Sequence, residues 1–274
     1  MSLAHTLSCR PVRLGATEWL ALQALALWPH GAYLVQRATD GSDDPLGLLA
    51  LAAVAALVVW QRHSLRLTPR LGWLVTSMAT ALVANGAWWA GVPALLASLL
   101  AALSLVCALL AWWPAAQPWL PLAGLVLLAL PWIASLQFYL GFPLRVITAQ
   151  MSAWGLQLAG FDAARSGASM LVNGQLVIVD APCSGVQMAW LAYFSACATA
   201  AAIGLRDRVF VRRAAWVGAI VLMGNVLRNS VLVALEARPG GVSAAWHEAI
   251  GLAVLAAVCA LVLLLVQRRE VSRV

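Results

Sequence analysis

A chain of 274 residues that is 63% hydrophobic and only 10% charged cannot cover a water-facing surface, so lipid must be its main solvent. Its net charge of +7 does not mark a nucleic-acid partner. The 17 cations are all arginine and sit between apolar runs, where positive charge sets membrane topology.

At roughly 20 apolar residues per crossing, the length predicts about eight transmembrane helices, one sizeable loop and no added soluble domain. Mean hydropathy is +0.88. The stretch from Cys9 to Glu18 is polar, and no small-residue cleavage site follows the first apolar run. The first hydrophobic segment is therefore expected to be a retained span rather than a signal peptide. Spans are expected at 17–36, 46–60, 71–90, 93–113, 119–140, 183–205, 209–235 and 245–267. Tryptophans such as Trp60, Trp88, Trp89, Trp112, Trp113 and Trp119 mark their ends, where amphipathic rings sit at headgroup level.

Charge orients these spans. Arg10 and Arg13, Arg62, Arg66 and Arg70, Arg206, Arg208, Arg212 and Arg213, and Arg268, Arg269 and Arg273 fall in one set of breaks. The alternate breaks hold Asp40, Asp43, Asp44, Asp162, Asp180 and Glu236. The positive-inside rule then places both termini in the cytoplasm and the long break 141–182 outside. Within that break, 145–158 is expected to be an amphipathic helix on the membrane surface. Asn173-Gly174 between two apolar, β-branched runs predicts a β-hairpin leading into Asp180 and Cys183. The organisation expected is an all-α membrane protein with one small external hairpin, divided into N-terminal helices (1–144) and a C-terminal core (145–274).

Five cysteines, Cys9, Cys107, Cys183, Cys197 and Cys259, form no CxxC pair and no metal spacing. Cys107, Cys197 and Cys259 lie inside apolar runs and read as packing residues. Cys183 differs. It follows Pro182 at an expected helix start, where unpaired amides favour a thiolate. Arg228, in Gly224-Asn225-Val-Leu-Arg228-Asn229, lies within the seventh expected span, and intramembrane charge is costly enough to mark function. Asn225 and Asn229 beside it are candidate interhelical hydrogen-bonding groups. His247, in Trp246-His247-Glu248, begins the eighth expected span. Three consecutive spans thus bring a thiol, a fixed cation and a base to one leaflet, which is what thiol acyl transfer requires. Of the other histidines, His5 and His63 do not share that face and His30, near the outer end of the first expected span, is the one that could; no P-loop, HExxH or dinucleotide fingerprint occurs.

At these motifs the sequence resembles the exosortase/archaeosortase family of membrane transpeptidases. The matching pieces are Cys183-Ser184-Gly185-Val186-Gln187, Asn225-Val226-Leu227-Arg228-Asn229, and His247-Glu248 with Gly251 a turn later. They occur in the family's order, after a hairpin loop, within residues 145–265. The resemblance implies that Cys183 is a nucleophile, Arg228 an essential cation and His247 the acid/base, with Ser184, Gly185, Asn225, Asn229 and Glu248 in support. It implies membrane-anchored protein substrates bearing a C-terminal sorting signal (PEP-CTERM-like) of short motif, apolar helix and basic tail. It further implies cleavage and transfer at the outer face of the bacterial inner membrane, often alongside exopolysaccharide production, with no cofactor and no nucleic acid. Many members carry a basic residue shortly after Cys-Ser-Gly, where this chain has Val186 and Gln187.

Two other readings compete. A transporter or exopolysaccharide assembly component would use Arg228 to line a polar path but would have no need of a thiol at Cys183. A redox protein would need a second cysteine beside Cys183, and none is expected on that side.

Overall fold

The structure, a computed structural model, describes residues 15–41, 45–178, 181–237, 241 and 243–268. His5, Cys9, Arg10, Arg13, Asp43, Asp44, Asp180, Arg269 and Arg273 lie outside these residues. The chain divides into two compact units, one of residues 1–31 and 63–114 and one of 32–62 and 115–274.

The first unit contains α1 (Ala16–Ala26), the start of α2 (Trp28–Thr39), α4 (Leu71–Trp89) and α5 (Ala94–Trp112). The first expected span is therefore two helices, interrupted at Leu27. Pro29, lacking an N–H, cannot continue the α1 ladder. In lipid the hydrophobic effect does not hold helices together, so small residues and polar contacts must. Accordingly Ala81, Ala84, Ala97 and Ala101 are buried here. Ser77 Oγ donates to the Ser104 carbonyl at 3.0 Å, and Ser104 Oγ donates back to the Ser77 carbonyl at 2.7 Å. His30 is buried in this unit against Ser98 Oγ (3.2 Å) and the edge of Trp88, a packing role.

The second unit holds α3 (Leu46–Trp60), α6 (Leu120–Leu128), α7 (Ile133–Leu158), a three-stranded sheet, α8 (Val186–Ala202), α9 (Asp207–Glu236) and α10 (Ala244–Gln267). The fifth expected span is broken: α6 and α7 meet at 92° across Ala129–Trp132, where Pro131 interrupts the ladder. The segment expected as a separate surface helix is the second half of α7. Gly141, Thr148, Ala149, Ser152, Ala153 and Leu156 form a buried stripe, and packing on α9 carries the helix through Pro143. Gly160 ends it: its φ of +87° lets Phe161 N–H reach back to the Leu156 carbonyl at 3.0 Å.

The sheet pairs β1 (Ala163–Ser166), β2 (Ser169–Val172) and β3 (Gln175–Ile178) antiparallel in that order. Asn173 and Gly174 both have positive φ, as the two-residue turn predicted from Asn-Gly requires. Strand β1 was not anticipated, since Ala-Ala-Arg-Ser has little intrinsic strand preference. It is held by Asp162, whose carbonyl accepts from Asn173 N–H at 2.7 Å, and by Gln157 of α7.

Side chains tie the remaining helix ends. Asp207 Oδ1 accepts from the Trp119 and Leu120 amides at 3.1 and 3.0 Å, placing an anion at the α6 N-terminus. Buried Arg213 of α9 donates to the Val266 and Arg268 carbonyls at 2.6 and 2.7 Å, occupying acceptors that the end of α10 leaves open. The sequence predicts about eight transmembrane helices. The described helices α5, α9 and α10 are long and apolar enough to cross a membrane, with the bent α6–α7 pair as a fourth, and α3 and α8 are shorter apolar helices.

Candidate active site

Helices α8, α9 and α10 pack on one another as consecutive, alternating elements, so the start of α8, the end of α9 and the start of α10 fall at one end. Cys183 lies in a 3₁₀ turn, Ala181–Ser184, and not in the first turn of α8 as expected. The α-helix begins only at Val186, after Gly185.

Gly185 is required twice over. Its φ is +80°, and a Cβ there would lie 2.9 Å from Asn225 Cγ. A side chain would strain the backbone by about 1–3 kcal/mol and also displace Asn225. That close approach lets Asn225 Nδ2 donate to the Cys183 carbonyl at 2.8 Å and to Thr148 Oγ1 at 3.1 Å. One turn on, Asn229 Nδ2 donates to Ser152 Oγ at 2.9 Å. Thr148 and Ser152 on α7 thus match Asn225 and Asn229 on α9, each pair four residues apart on a single helix face. All four are at least 98% buried. Ser184 Oγ donates to Gln137 Oε1 at 2.9 Å and accepts from Val186 N–H at 3.3 Å. The cysteine turn is therefore clamped from α7, α8 and α9.

Cys183 itself is buried and packs with Ala149, Ala153, Met170, Val172 and Val233. It opens onto a cavity of about 680 Å³ whose walls include strand β3, Asn229, Glu236, His247 and Glu248. A second cavity of about 510 Å³ is lined by Arg228, Gln187, Gly251 and the same His247 and Glu248. His247, on the first turn of α10, thus borders both the thiol's cavity and the arginine's. Ser243 caps that turn, accepting from Trp246 N–H.

Arg228 stands on the α9 face towards α10. A Cβ on Gly251 would lie 3.2 Å from Arg228 Nε and 3.6 Å from Cζ, so the absent side chain is the space in which the guanidinium lies. Gly224, a turn earlier, lets α9 approach Val258 of α10 closely. On the other side of Ser184, Gly185 and Asn225, a third cavity of about 400 Å³ is almost wholly apolar, with Leu128, Trp132 and Leu136 in its walls. Among the described residues, no three His, Cys, Asp or Glu side chains converge as a metal site.

The structure therefore brings Cys183, Ser184, Gly185, Asn225, Asn229, Arg228, His247 and Glu248 to one end of three helices. Thr148, Ser152 and Gln137 were missed from sequence. The available signal was polar residues on an otherwise apolar helix, two of them spaced by four. Cys107 and Cys197 are buried elsewhere, the latter against Gly124, and Cys259 lies on α10 within reach of Ser195.

These features define a helical membrane protein with a cysteine, a histidine and an arginine gathered around adjoining cavities. The family model described as transmembrane exosortase (Exosortase_EpsH) matches residues 38–264, most of the chain. The chain belongs to the transmembrane exosortase family. No curated protein and no solved structure matches it.

Proposed function

We propose that this protein is a membrane cysteine protease/transpeptidase that cleaves C-terminal sorting signals of secreted proteins and transfers them to an acceptor. The observation that carries the reading is His247 bordering one cavity with Cys183 and an adjoining one with Arg228. Family membership supports the reaction class. The catalytic core is residues 145–274, and Cys183, His247 and Arg228 are its catalytic residues.

In this mechanism His247 removes the Cys183 thiol proton, and the sulfur attacks the scissile carbonyl to form a tetrahedral oxyanion. Arg228 stabilises that oxygen or orients the peptide carbonyl. The C–N bond then breaks, His247 returns the proton to the departing amine, and a thioester remains on Cys183. An acceptor amine, hydroxyl or water attacks the thioester, its proton passing to His247 and then to the sulfur. Asn225 positions the cysteine turn through its hydrogen bond to the Cys183 carbonyl.

The thioester is the test. A reporter carrying a sorting signal from the same genome, added to membranes, is expected to form a hydroxylamine-sensitive adduct on the protein. Absence of that adduct while processing continues would overturn the mechanism.

The orientation follows from charge: twelve of the seventeen arginines fall in the segments assigned to the cytoplasm. We place the site on the periplasmic face of the inner membrane and both termini inside. The chain then makes eight crossings, with α1–α2 and α6–α7 each a broken one. Ser166 is exposed at the end of β1, so Ser166→Cys in a Cys183→Ala background is expected to react with a membrane-impermeant maleimide in intact spheroplasts. Reaction only after lysis would invert the topology.

A further inference from the structure

The two edges of the small sheet differ. In a two-residue hairpin the closing pair, here Val172 and Gln175, exchanges both main-chain hydrogen bonds, and the pattern alternates from there. Gln175 and Val177 therefore bond to β2, while the N–H and C=O groups of Leu176 and Ile178 point away from it. The same logic on the other side turns Ala163 and Arg165 of β1 outward. There Gln157 of α7 donates to the Ala163 carbonyl at 2.6 Å, so the β1 edge is covered. The β3 edge is open among the described residues. Among the described residues, no main-chain bond joins it to another segment.

Folded proteins blunt an open edge with charge, proline or a covering element. Strand β3 reads Gln-Leu-Val-Ile, without charge or proline, and among the described residues no element pairs with its outer edge. Its Leu176, Val177 and Ile178 instead form a wall of the cavity onto which Cys183 and His247 open. Val177 packs into the cluster that encloses Cys183, which fixes the distance between edge and thiol.

We propose that the open edge of β3 binds the peptide substrate as an added strand, its extended main chain pairing with Leu176 and Ile178. This rests on the thiol acyl-transfer reading of Cys183. The occupant is an extended peptide because a nucleophile sharing the cavity needs a backbone carbonyl presented to it. Strand addition supplies register through main-chain bonds and leaves sequence preference to alternate side chains. Side chains on the Val177 face of the added strand meet the cavity floor at Leu232 and Val233. Those on the other face lie with Leu176 and Ile178, each 64% exposed.

The probe is a reporter bearing a genome-encoded sorting signal, held by a Cys183→Ala protein that cannot turn it over. With Leu176→Cys added, single cysteines are stepped through the ten reporter residues before the apolar helix and oxidised. The expected result is one dominant disulfide, at the reporter position that lies opposite Leu176 in the added strand, with any weaker adduct two residues away and none at the positions between, whose side chains face the other way. Adducts at consecutive positions, no adducts, or a disulfide between two copies of the Leu176→Cys chain would overturn the proposal. In a separate arm, Leu176→Pro in the otherwise native protein removes the N–H pointing away from β2 and spares the hydrogen bonds between β3 and β2, with Leu176→Ala as the control for the lost side chain. Processing is expected to fall about tenfold, the scale of one lost main-chain hydrogen bond in a dry site. Normal processing by Leu176→Pro sinks the strand-addition proposal and leaves the enzyme reading intact. Normal processing by Cys183→Ala sinks the enzyme reading itself.

Discussion

Replacing Cys183 by alanine is expected to abolish processing of a sorting-signal reporter, so that uncleaved substrate accumulates in the membrane. The substitution removes the atom that forms the thioester, and the described structure places no other cysteine at that cavity. The protein should still fold and insert. The contacts holding the turn use the Cys183 carbonyl, Gly185 and Ser184, which alanine leaves in place. His247→Ala is expected to cost about 10²–10⁴-fold, the usual value of a positioned general acid–base. The measurement is the ratio of cleaved to uncleaved reporter at matched expression of each variant. If Cys183→Ala processes normally, the enzyme reading is lost and a transporter, with Arg228 on a polar path, takes its place. If only His247→Ala processes normally, the base must be sought elsewhere along the same cavity, where Glu236 and Glu248 stand.

Much of the candidate site could be read from sequence because Cys183 and His247 stand beside helix starts and Arg228 lies within the apolar run of α9. Cys183, Arg228 and His247 each interrupt an apolar run, and alternating spans bring the start of one helix and the end of the previous one together. The Asn173-Gly174 turn was equally visible, since few backbones other than a tight hairpin accept positive φ at two successive residues. What stayed hidden depends on tertiary packing. Pro131 breaks a span but Pro143, twelve residues later, does not, because the stripe from Gly141 to Leu156 is buried against α9 across it. Strand β1 forms from residues with little strand preference because Gln157 and Asp162 hold its N-terminal end. The onset of α8 at Val186 rather than at Cys183 turns on Gly185, which takes a positive φ and leaves room for the close approach of Asn225. Thr148 and Ser152 look like ordinary small residues until α7 is placed beside α9, where they become partners for Asn225 and Asn229.

Arg228→Lys is expected to be nearly as damaging as Arg228→Ala, each slowing processing by about 10²–10³-fold, the scale of a lost oxyanion donor. Arg228 lies eight residues before the end of α9, roughly 12 Å along the helix from Glu236. Keeping a cation at that depth costs at least about 2.5 kcal/mol on insertion scales, so packing alone is a poor reason for it. Its geometry argues for more than charge. The planar, forked head lies against Gly251, with Nε 3.2 Å and Nη2 3.4 Å from where a Cβ would stand, and Arg228 lines the cavity it shares with His247. Lysine retains the charge but replaces that fork with a compact, mobile ammonium, which cannot give two parallel hydrogen bonds to a carbonyl or carboxylate. Gly251→Ala offers an independent arm, since the new methyl group crowds the guanidinium at 3.2 Å and shifts it by a few tenths of an ångström while leaving its charge untouched. Both variants are read by the same reporter ratio, alongside hydroxylamine-sensitive adduct on Cys183. Loss of adduct in Arg228→Lys and Gly251→Ala places the arginine's fork in thioester formation. Normal processing by Arg228→Lys would reduce Arg228 to a simple positive charge and leave Cys183 and His247 to carry the orientation of the peptide.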